Sequence, residues 1–272
     1  MLTLFLHKKM VQGQIGDVQY ANGIIQFQAV KLNVHAFVID GIAIDTGAHS
    51  LVKQFLQFFS TQSVNAVYCT HVHEDHTGCA AALQKQYDLP IYLDGLSVGE
   101  ARKKGKYPLY RQLFWGRRKA FIASPLPETF QSRTFEWRSI FTPGHAADHT
   151  AFLNTSTGQL FSGDLFIQAR TKVIMDTESI PQIIRSLEHV LSYDFEEVFC
   201  SHAGHLPNGK EQLRAKRDYL CSLTEEVTDL HEKGLTNKEI EHKLFPRVYP
   251  ITRFSSGQWH TKHIITSILG EK

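Results

Sequence analysis

The amino-acid sequence predicts an α/β protein with a C-terminal helical appendix. Three observations predict this fold class. Short apolar segments typical of strands alternate with segments of helical periodicity. Histidine and aspartate residues recur where the predicted strands end, and from residue 208 onward the spacing predicts helices only. We therefore expect a first domain at residues 1–207 and a helical region at residues 208–272.

The first part of the chain predicts strands and helices in alternation. Two short strands turn at Gly41, and a polar residue precedes each of the next two helices as a candidate N-cap, Ser50 for the first and Thr77 for the second. The predicted strands cover residues 34–40, 42–45, 64–69 and 90–93, and the predicted helices cover residues 51–59 and 78–86.

Residues 97–132 interrupt this alternation. Basic residues are interleaved there with aromatic ones, and we predict a helical insertion or flap.

Gly234 is a candidate C-cap for the long helix that follows the last predicted strand. Strands are predicted at 134–141, 149–154, 159–162 and 198–201, and helices at 180–191, 210–233, from residue 236, and at 257–269.

Composition and charge exclude several classes of protein. Hydrophobic residues are 42% and charged residues 21% of the chain, which is typical of a globular protein and not of a disordered one. The formal net charge of +2 is too small to indicate a nucleic-acid or membrane partner. The apolar run at the N-terminus is too short for a secretory signal, and no run is long enough for a membrane span. The four cysteines show no paired spacing, so we expect a cytoplasmic protein without disulfides.

The strongest functional signal is a histidine-rich segment that follows the strand predicted at 64–69. His71, His73, Asp75 and His76 lie within six residues, at a predicted turn between a strand and a helix. Several of these side chains can therefore point to one place. Imidazole nitrogens and carboxylate oxygens are ligands that Zn²⁺ prefers in proteins. The segment predicts a metal site.

Residues of the same types stand at the ends of other predicted strands. Asp45, His145, Asp164 and His202 each end a strand or lie in the turn that follows one. An active site along one edge of a sheet requires such side chains at the exits of successive strands. The joint pattern is more specific than any single motif.

In their order and spacing, these motifs resemble those of the metallo-β-lactamase superfamily, over the stretch from Asp45 to His202. The resemblance implies a four-layer αββα sandwich with a dinuclear metal centre at one edge. The segment around His145 is similar to the glyoxalase II-like and lactamase-like branch. The C-terminal helices resemble the appendix of that branch, and the helix predicted from residue 236 looks like the opening of a winged-helix-like unit.

The resemblance also implies a role for each motif residue. Asp45 and His149 would not bind the metal themselves but would orient its ligands by hydrogen bonds on the side that faces away from the metal. The seven implied ligands are His71, His73 and His145 for the first metal, Asp75, His76 and His202 for the second, and Asp164 as a bridge between them.

The implied cofactor is a pair of Zn²⁺ ions, with Fe or Mn as alternatives. Water shared by two metals loses a proton near neutral pH, so the resemblance implies a hydrolase whose nucleophile is a metal-bridging hydroxide. Asp75 is the candidate catalytic residue that passes a proton to the leaving group. His73 stands where the di-iron flavoprotein branch typically has Glu, which favours hydrolysis over oxygen reduction.

Other residues near the motifs give weaker signals. We expect Glu74 to face solvent and His205 to be a loop histidine. Cys69 and Cys200 each precede an implied ligand by two places, and core packing is a better explanation for them than thiolate coordination.

An anionic substrate is suggested by basic residues outside the motifs. Arg170 and Lys172, shortly after Asp164, are candidates for binding an anionic group. The basic and aromatic segment 102–119 has two interpretations. It either grips an anionic substrate or forms a solvated helix whose aromatic side chains pack on the core.

We expect the substrate to be a small ester, thioester or lactone. The alternatives are a phosphodiesterase or ribonuclease of the same superfamily, a mononuclear iron sulfur-dioxygenase, and a binding module without catalysis. The last alternative predicts a missing ligand, and none is missing. A nucleic-acid partner is disfavoured, and the amphipathic C-terminal helices leave a homodimer open.

Overall fold

Two β-sheets lie face to face in the computed structural model, which describes residues 6–270. The first sheet has seven strands in sequence order, antiparallel up to the fourth and parallel from the fourth to the seventh. These strands are β1 (His7–Ile15), β2 (Val18–Phe27), β3 (Val30–Ile39), β4 (Ile42–Ile44), β5 (Ala66–Tyr68), β6 (Ile91–Leu93) and β7 (Ser124–Pro125).

The second sheet has six strands and is antiparallel except for one central pair, β11 and β13. A separate two-stranded ribbon pairs β12 with β15 near the C-terminus. The strands of the second sheet and the ribbon are β8 (Thr129–Gln131), β9 (Glu136–Phe141), β10 (Thr150–Asn154), β11 (Gln159–Gly163), β12 (Ile174–Met175), β13 (Val198–Cys200), β14 (Gly204–Leu206) and β15 (Trp259–His260).

Helices cover the outer faces of both sheets. Among residues 6–270 they are α1 (Val52–Ser60), α2 (Ala80–Tyr87), α3 (Val98–Ala101), α4 (Leu109–Trp115), α5 (Ile180–Leu191), α6 (Gly209–Glu232), α7 (Asn237–Leu244), α8 (Pro250–Phe254) and α9 (Lys262–Leu269). None of the helices in this described range is both long and apolar enough to cross a membrane.

Side chains of alternating direction divide the interior into layers. On β3, Phe37 and Ile39 point between the sheets, whereas Ala36 and Val38 point to the outer core. Helices α1 and α2 pack against the first sheet and fill that outer core. A second outer core lies between the second sheet and α5, α6 and α9. The order helix, sheet, sheet, helix confirms the predicted αββα sandwich.

Most predicted elements are present with bounds shifted by a few residues, but both predicted N-caps are wrong. Ser50 donates instead to the carbonyl of Phe114, at 2.5 Å, and helix α1 begins after Leu51. Thr77 donates to the carbonyls of Val72 and His73 at 2.9 Å, and therefore tightens the histidine-rich turn rather than capping α2.

Three further expectations need correction. Segment 97–132 is only partly helical, since it also supplies β7 and β8, one to each large sheet. The region after residue 208 is not helices only, because β15 occupies part of the helix predicted at 257–269. The hairpin β1–β2 was not predicted, because its strands alternate polar and apolar residues too weakly. Residues 1–5, on which the expectation about a secretory signal partly rests, lie outside the described residues.

Gly78 makes a close backbone contact that holds the histidine-rich turn on the first sheet. A Cβ at this position would lie 2.4 Å from the carbonyl oxygen of Glu74 and 2.4 Å from the amide nitrogen of His49. Both are backbone atoms and cannot rotate away.

We predict that Gly78→Ala lowers the free energy of unfolding by about 1–3 kcal/mol through overpacking. Denaturant titration followed by circular dichroism measures the loss. Gly99→Ala on α3 is the matched control, because a Cβ there meets no heavy atom within 4 Å. Equal stability of the two variants would contradict the close contact.

Candidate metal centre

The residues expected to bind metal lie at one edge of the two sheets. Asp45 follows β4, and His71 to His76 follow β5 in the same sheet. Asp164 and His202 follow β11 and β13, which are parallel neighbours in the second sheet, and His145 lies in the turn between β9 and β10. The strand ends thus bring residues from five separate stretches of chain together.

Three histidines form the first group. Nε2 of His71 lies 2.9 Å from Nδ1 of His73, and Nε2 of His145 lies 3.2 Å from the same atom. Burial lowers the pKa of His71 and of His73 well below the ordinary value, so both rings are neutral. Neutral imidazole is the form that binds a metal ion.

Asp164 joins this first group to a second one. Its Oδ2 lies 3.3 Å from Nε2 of His145 and 3.1 Å from Nε2 of His202, and its Oδ1 lies 3.3 Å from Nε2 of His76. Asp75 completes the second group, with Oδ2 3.6 Å from Nε2 of His202.

The donor atoms fit a pair of cations. Three overlapping sets have potential ligand atoms within 4.8 Å of one another. Nε2 of His76 and Oδ1 of Asp164 are buried and have no hydrogen-bond partner among residues 6–270. Burial alone would lower the pKa of His76, but the Asp45 and Asp164 carboxylates raise it well above the ordinary value. A metal cation between Nε2 of His76 and Oδ1 of Asp164 would replace that proton and satisfy both buried atoms. The sets are His71 with His73 and His145, His71 with His76 and Asp164, and Asp75 with His76 and His202.

Asp45 lies directly behind the histidine-rich turn. Its Oδ2 accepts a hydrogen bond of 2.7 Å from Nδ1 of His76, so Nε2 is the nitrogen of that ring that faces the cluster. Its Oδ1 accepts from the backbone amide of Thr70 at 2.8 Å, and Ser201 donates to Oδ2 at 3.1 Å. Asp45 adopts a φ of 58°, a left-handed conformation that is uncommon for residues other than glycine.

His149 lies behind Asp164. Its Nε2 accepts a 3.0 Å hydrogen bond from the backbone amide of Asp164, while Nδ1 lies 2.8 Å from the Thr142 hydroxyl. Burial lowers the pKa of His149 to about 3, so the ring is neutral and its proton is on Nδ1. His149 therefore fixes the backbone from which the Asp164 carboxylate projects.

Comparison with known proteins agrees with this geometry. The family model of the metallo-beta-lactamase superfamily matches residues 32–202, more than half of the chain. The chain belongs to this superfamily. A metallo-beta-lactamase family protein from Thermus thermophilus has the same fold, with a TM-score of 0.63 at 17% identity, over 98% of this chain and 93% of that one.

Two curated relatives are also similar in sequence. A hydroxyacylglutathione hydrolase from Nitrosomonas eutropha is 29% identical over 61% of this chain and 58% of its own length. A thioesterase from Emericella nidulans is 27% identical over 61% of this chain and 44% of its own length. The chain thus spans about half the length of these two relatives.

Asn33 holds His202 in a way that the sequence does not reveal. Nδ1 of His202 lies 2.5 Å from the Asn33 carbonyl oxygen, and the Asn33 amide donates to the His202 carbonyl at 2.7 Å. Asn33 lies on β3, 169 residues away along the chain, and carries no motif.

Glu178 is a second residue that sequence analysis missed. Its Oε2 lies 3.3 Å from Nδ1 of His145, and its Oε1 accepts from the backbone amide of Met175 at 2.9 Å. Burial alone would lower the pKa of His145, but the Glu178 and Asp164 carboxylates raise it above the ordinary value. Glu178 follows no predicted strand, so no pattern pointed to it.

The expectation that Glu74 faces solvent is wrong. Its side chain is fully buried and forms a bidentate ion pair with Arg111 of α4, with distances of 2.5 Å to Nε and 2.7 Å to Nη2. Glu74 thus ties α4 to the histidine-rich turn. The two residues are 37 positions apart and share no motif, so the sequence does not indicate the pair.

The expected packing of segment 102–119 on the core is confirmed in part, and its binding of an anionic substrate stays a prediction. Phe114 packs in the outer core, and Arg118 is buried and donates to the carbonyls of Ala101 and Lys103. Arg111 and Trp115 instead line a cavity of about 630 Å³ that reaches the metal-ligand side chains. Lys172 also lines this cavity, whereas Arg170 is exposed and lies outside its lining.

The cysteines and His205 lie outside the metal cluster. Cys69 and Cys200 are buried and free, and burial raises the pKa of both thiols. Neither occurs in any group of potential metal ligands among residues 6–270. His205 lies on β14, and its ring stacks on Phe199 with centroids 4.9 Å apart.

Breaking the pair of Glu74 and Arg111 should destabilise the protein strongly. We predict that Arg111→Met costs about 3–5 kcal/mol, because it leaves the Glu74 carboxylate buried without its partner. The double variant Arg111→Met with Glu74→Met should recover most of that loss, and a double-mutant cycle of unfolding free energies measures the coupling. Additive losses would show that the two side chains do not interact.

Removing the charge of Glu178 should weaken metal binding. Carboxylates that orient histidine ligands typically contribute about 10–100-fold in metal affinity or activity, so Glu178→Gln should lower Zn²⁺ affinity by about this factor. Competition with a chromophoric chelator measures the affinity. Glu128→Gln is the control, because that side chain is 83% exposed. Unchanged affinity in Glu178→Gln would contradict an orienting role.

Proposed function

We propose that this protein is a metal-dependent hydrolase that acts on a thioester at a dinuclear centre, with Zn²⁺ as the expected metal. The observation that carries the proposal is the position of the Asp164 carboxylate between two groups of histidine and aspartate side chains, beside a cavity of substrate size. Asp164 approaches His145 on one side and His76 and His202 on the other.

The proposed ligands are the seven side chains expected from the sequence. When bound, the metal pair would supply an activated water and polarise the carbonyl of the substrate. His71, His73 and His145 would hold one metal, Asp75, His76 and His202 the other, and Asp164 both. Asp45, Asn33, Glu178 and Thr70 each contact the outer nitrogen of a ligand histidine, which fixes the direction of the nitrogen that faces the cluster.

Asp75 is the proposed proton donor to the leaving group. Its carboxylate lines the cavity, so a substrate bound there can contact it. Asp75 would take the proton that the attacking water loses and pass it to the sulfur as the C–S bond breaks. Apolar side chains around the cavity would limit access of other water molecules to the acyl carbon.

The substrate class is supported by the names of the relatives, which include a hydroxyacylglutathione hydrolase and a thioesterase. Esters and lactones undergo the same acyl transfer to water and stay in the test panel. Nuclease and sulfur-dioxygenase activity, a cytoplasmic location, a homodimer, and the winged-helix-like character of residues 208–272 stay predictions.

Zinc-loaded protein should hydrolyse thioesters, measured by release of the free thiol, and a chelator should abolish turnover. His202→Ala should lower kcat/KM by more than the roughly 10–100-fold that loss of an outer partner costs, because it removes a ligand itself. It should also lower the metal content per chain, measured by atomic emission.

His205→Ala is the matched control for this variant. His205 lies three residues away, but its ring packs on Phe199 and not in the cluster. It should keep both metal content and turnover. Absence of metal-dependent turnover on thioesters, esters and lactones alike would refute the proposed function.

A further inference from the structure

One wall of the cavity lies at the candidate metal ligands. That wall consists of candidate ligands, among them His73, Asp75 and Asp164. Any substrate whose reacting carbonyl lies at this wall must place its remaining atoms in the rest of the cavity. The chemistry of the other walls therefore selects the substrate.

The other walls are largely apolar and come from separate parts of the chain. Trp115 belongs to α4, Phe166 and Val173 to the segment after Asp164, Ile251 to α8, and Trp259 to β15. The ring of Trp115 also lies beside the ligand histidine His202, with centroids 6.4 Å apart. Apolar surface thus continues up to the cluster.

The buried cations of this lining are already paired with protein groups. Arg111 binds Glu74 through two nitrogens, as described above. Lys216 of α6 donates to the carbonyls of Leu165 and Phe166 at 2.7 and 2.6 Å. A charge buried on the substrate would have to compete with these partners for its counterion, which disfavours it. Lys31 and Lys172 of the lining are instead exposed to solvent.

The C-terminal part of the wall is held in place by contacts with α4 and β12. Trp259 pairs with Met175 in the ribbon, and Tyr110 of α4 donates a hydrogen bond to Gln258. Phe254 packs edge-on against Phe114, with centroids 5.3 Å apart. The apolar part of the cavity lining, called the apolar chamber below, is therefore fixed by contacts within the fold.

We propose that the chamber takes the acyl group of the substrate, and that this group is an apolar alkyl or aryl chain; the proposal rests on the proposed function. The thiol portion then extends towards Lys31 and Lys172 at the solvent side. Hydrolysis joins the water oxygen to the acyl carbon and breaks the C–S bond; one water proton goes to the thiol sulfur, the other is released to solvent, and the acyl group leaves as a carboxylate. The apolar chain stays in the chamber throughout.

A series of acyl thioesters on one neutral thiol, N-acetylcysteamine, tests the acyl preference of the zinc-loaded protein. From acetyl through butyryl and hexanoyl to octanoyl, kcat/KM should rise about fourfold for each methylene that becomes buried. A flat or falling series with metal-dependent turnover would overturn the inference and leave the proposed function intact.

Val173→Asp tests whether the gain comes from this chamber. An aspartate in the apolar wall should reduce the gain from acetyl to octanoyl at least tenfold. Val248→Asp is the matched control, because Val248 is 67% exposed and lies outside the lining of this cavity. It should keep the full gain. Equal behaviour of the two variants would overturn the inference.

Direct binding separates this inference from the proposed function. Octanoate should shift the tryptophan emission to shorter wavelength, because its alkyl chain displaces water from Trp115 and Trp259, which line the cavity. Val173→Asp should weaken this binding whether or not any thioester is hydrolysed. If no thioester is turned over, the proposed function fails, and octanoate binding sensitive to Val173→Asp still supports the apolar chamber. Absence of octanoate binding would overturn it.

Discussion

The buried carboxylate of Asp45 is the constraint on which the rest of the site depends. It accepts hydrogen bonds from Thr70, His76 and Ser201, and so joins the ends of β4, β5 and β13 across the two sheets. A charge in this position is stable only while all of these donors remain in place. The left-handed backbone of Asp45 is one cost of aiming the carboxylate at them.

The αββα architecture explains why such a cluster forms at the edge of the sandwich. Two sheets packed face to face bring the carboxyl ends of β5 and β11 to the same side, and each end releases a short loop. Short loops on rigid strands place ligand atoms with little conformational freedom. Outer contacts such as Asn33 to His202 then fix the rotation of each ring.

The sequence predicts the features that depend on short segments of the chain. The seven candidate ligands stand at strand exits within compact motifs, and the structure brings them together; the strands and helices of the sandwich have clear periodicity. Glu74 with Arg111, and Glu178 with His145, could not be predicted because each pair joins segments far apart in the chain. The ribbon of β12 and β15 was missed for the same reason, since two-residue strands have no pattern of their own.

Two separate stretches of the chain line the cavity, because β15 and α8 supply part of its apolar lining. Histidines and aspartates from residues 73–202 form the polar part of the lining, whereas Ile251 and Trp259 near the C-terminus belong to its apolar part. Changes of side-chain size at the tail can therefore alter which molecules fit without touching a single donor atom. Under the proposed function, substrate selectivity and the reaction would therefore depend on different stretches of the chain.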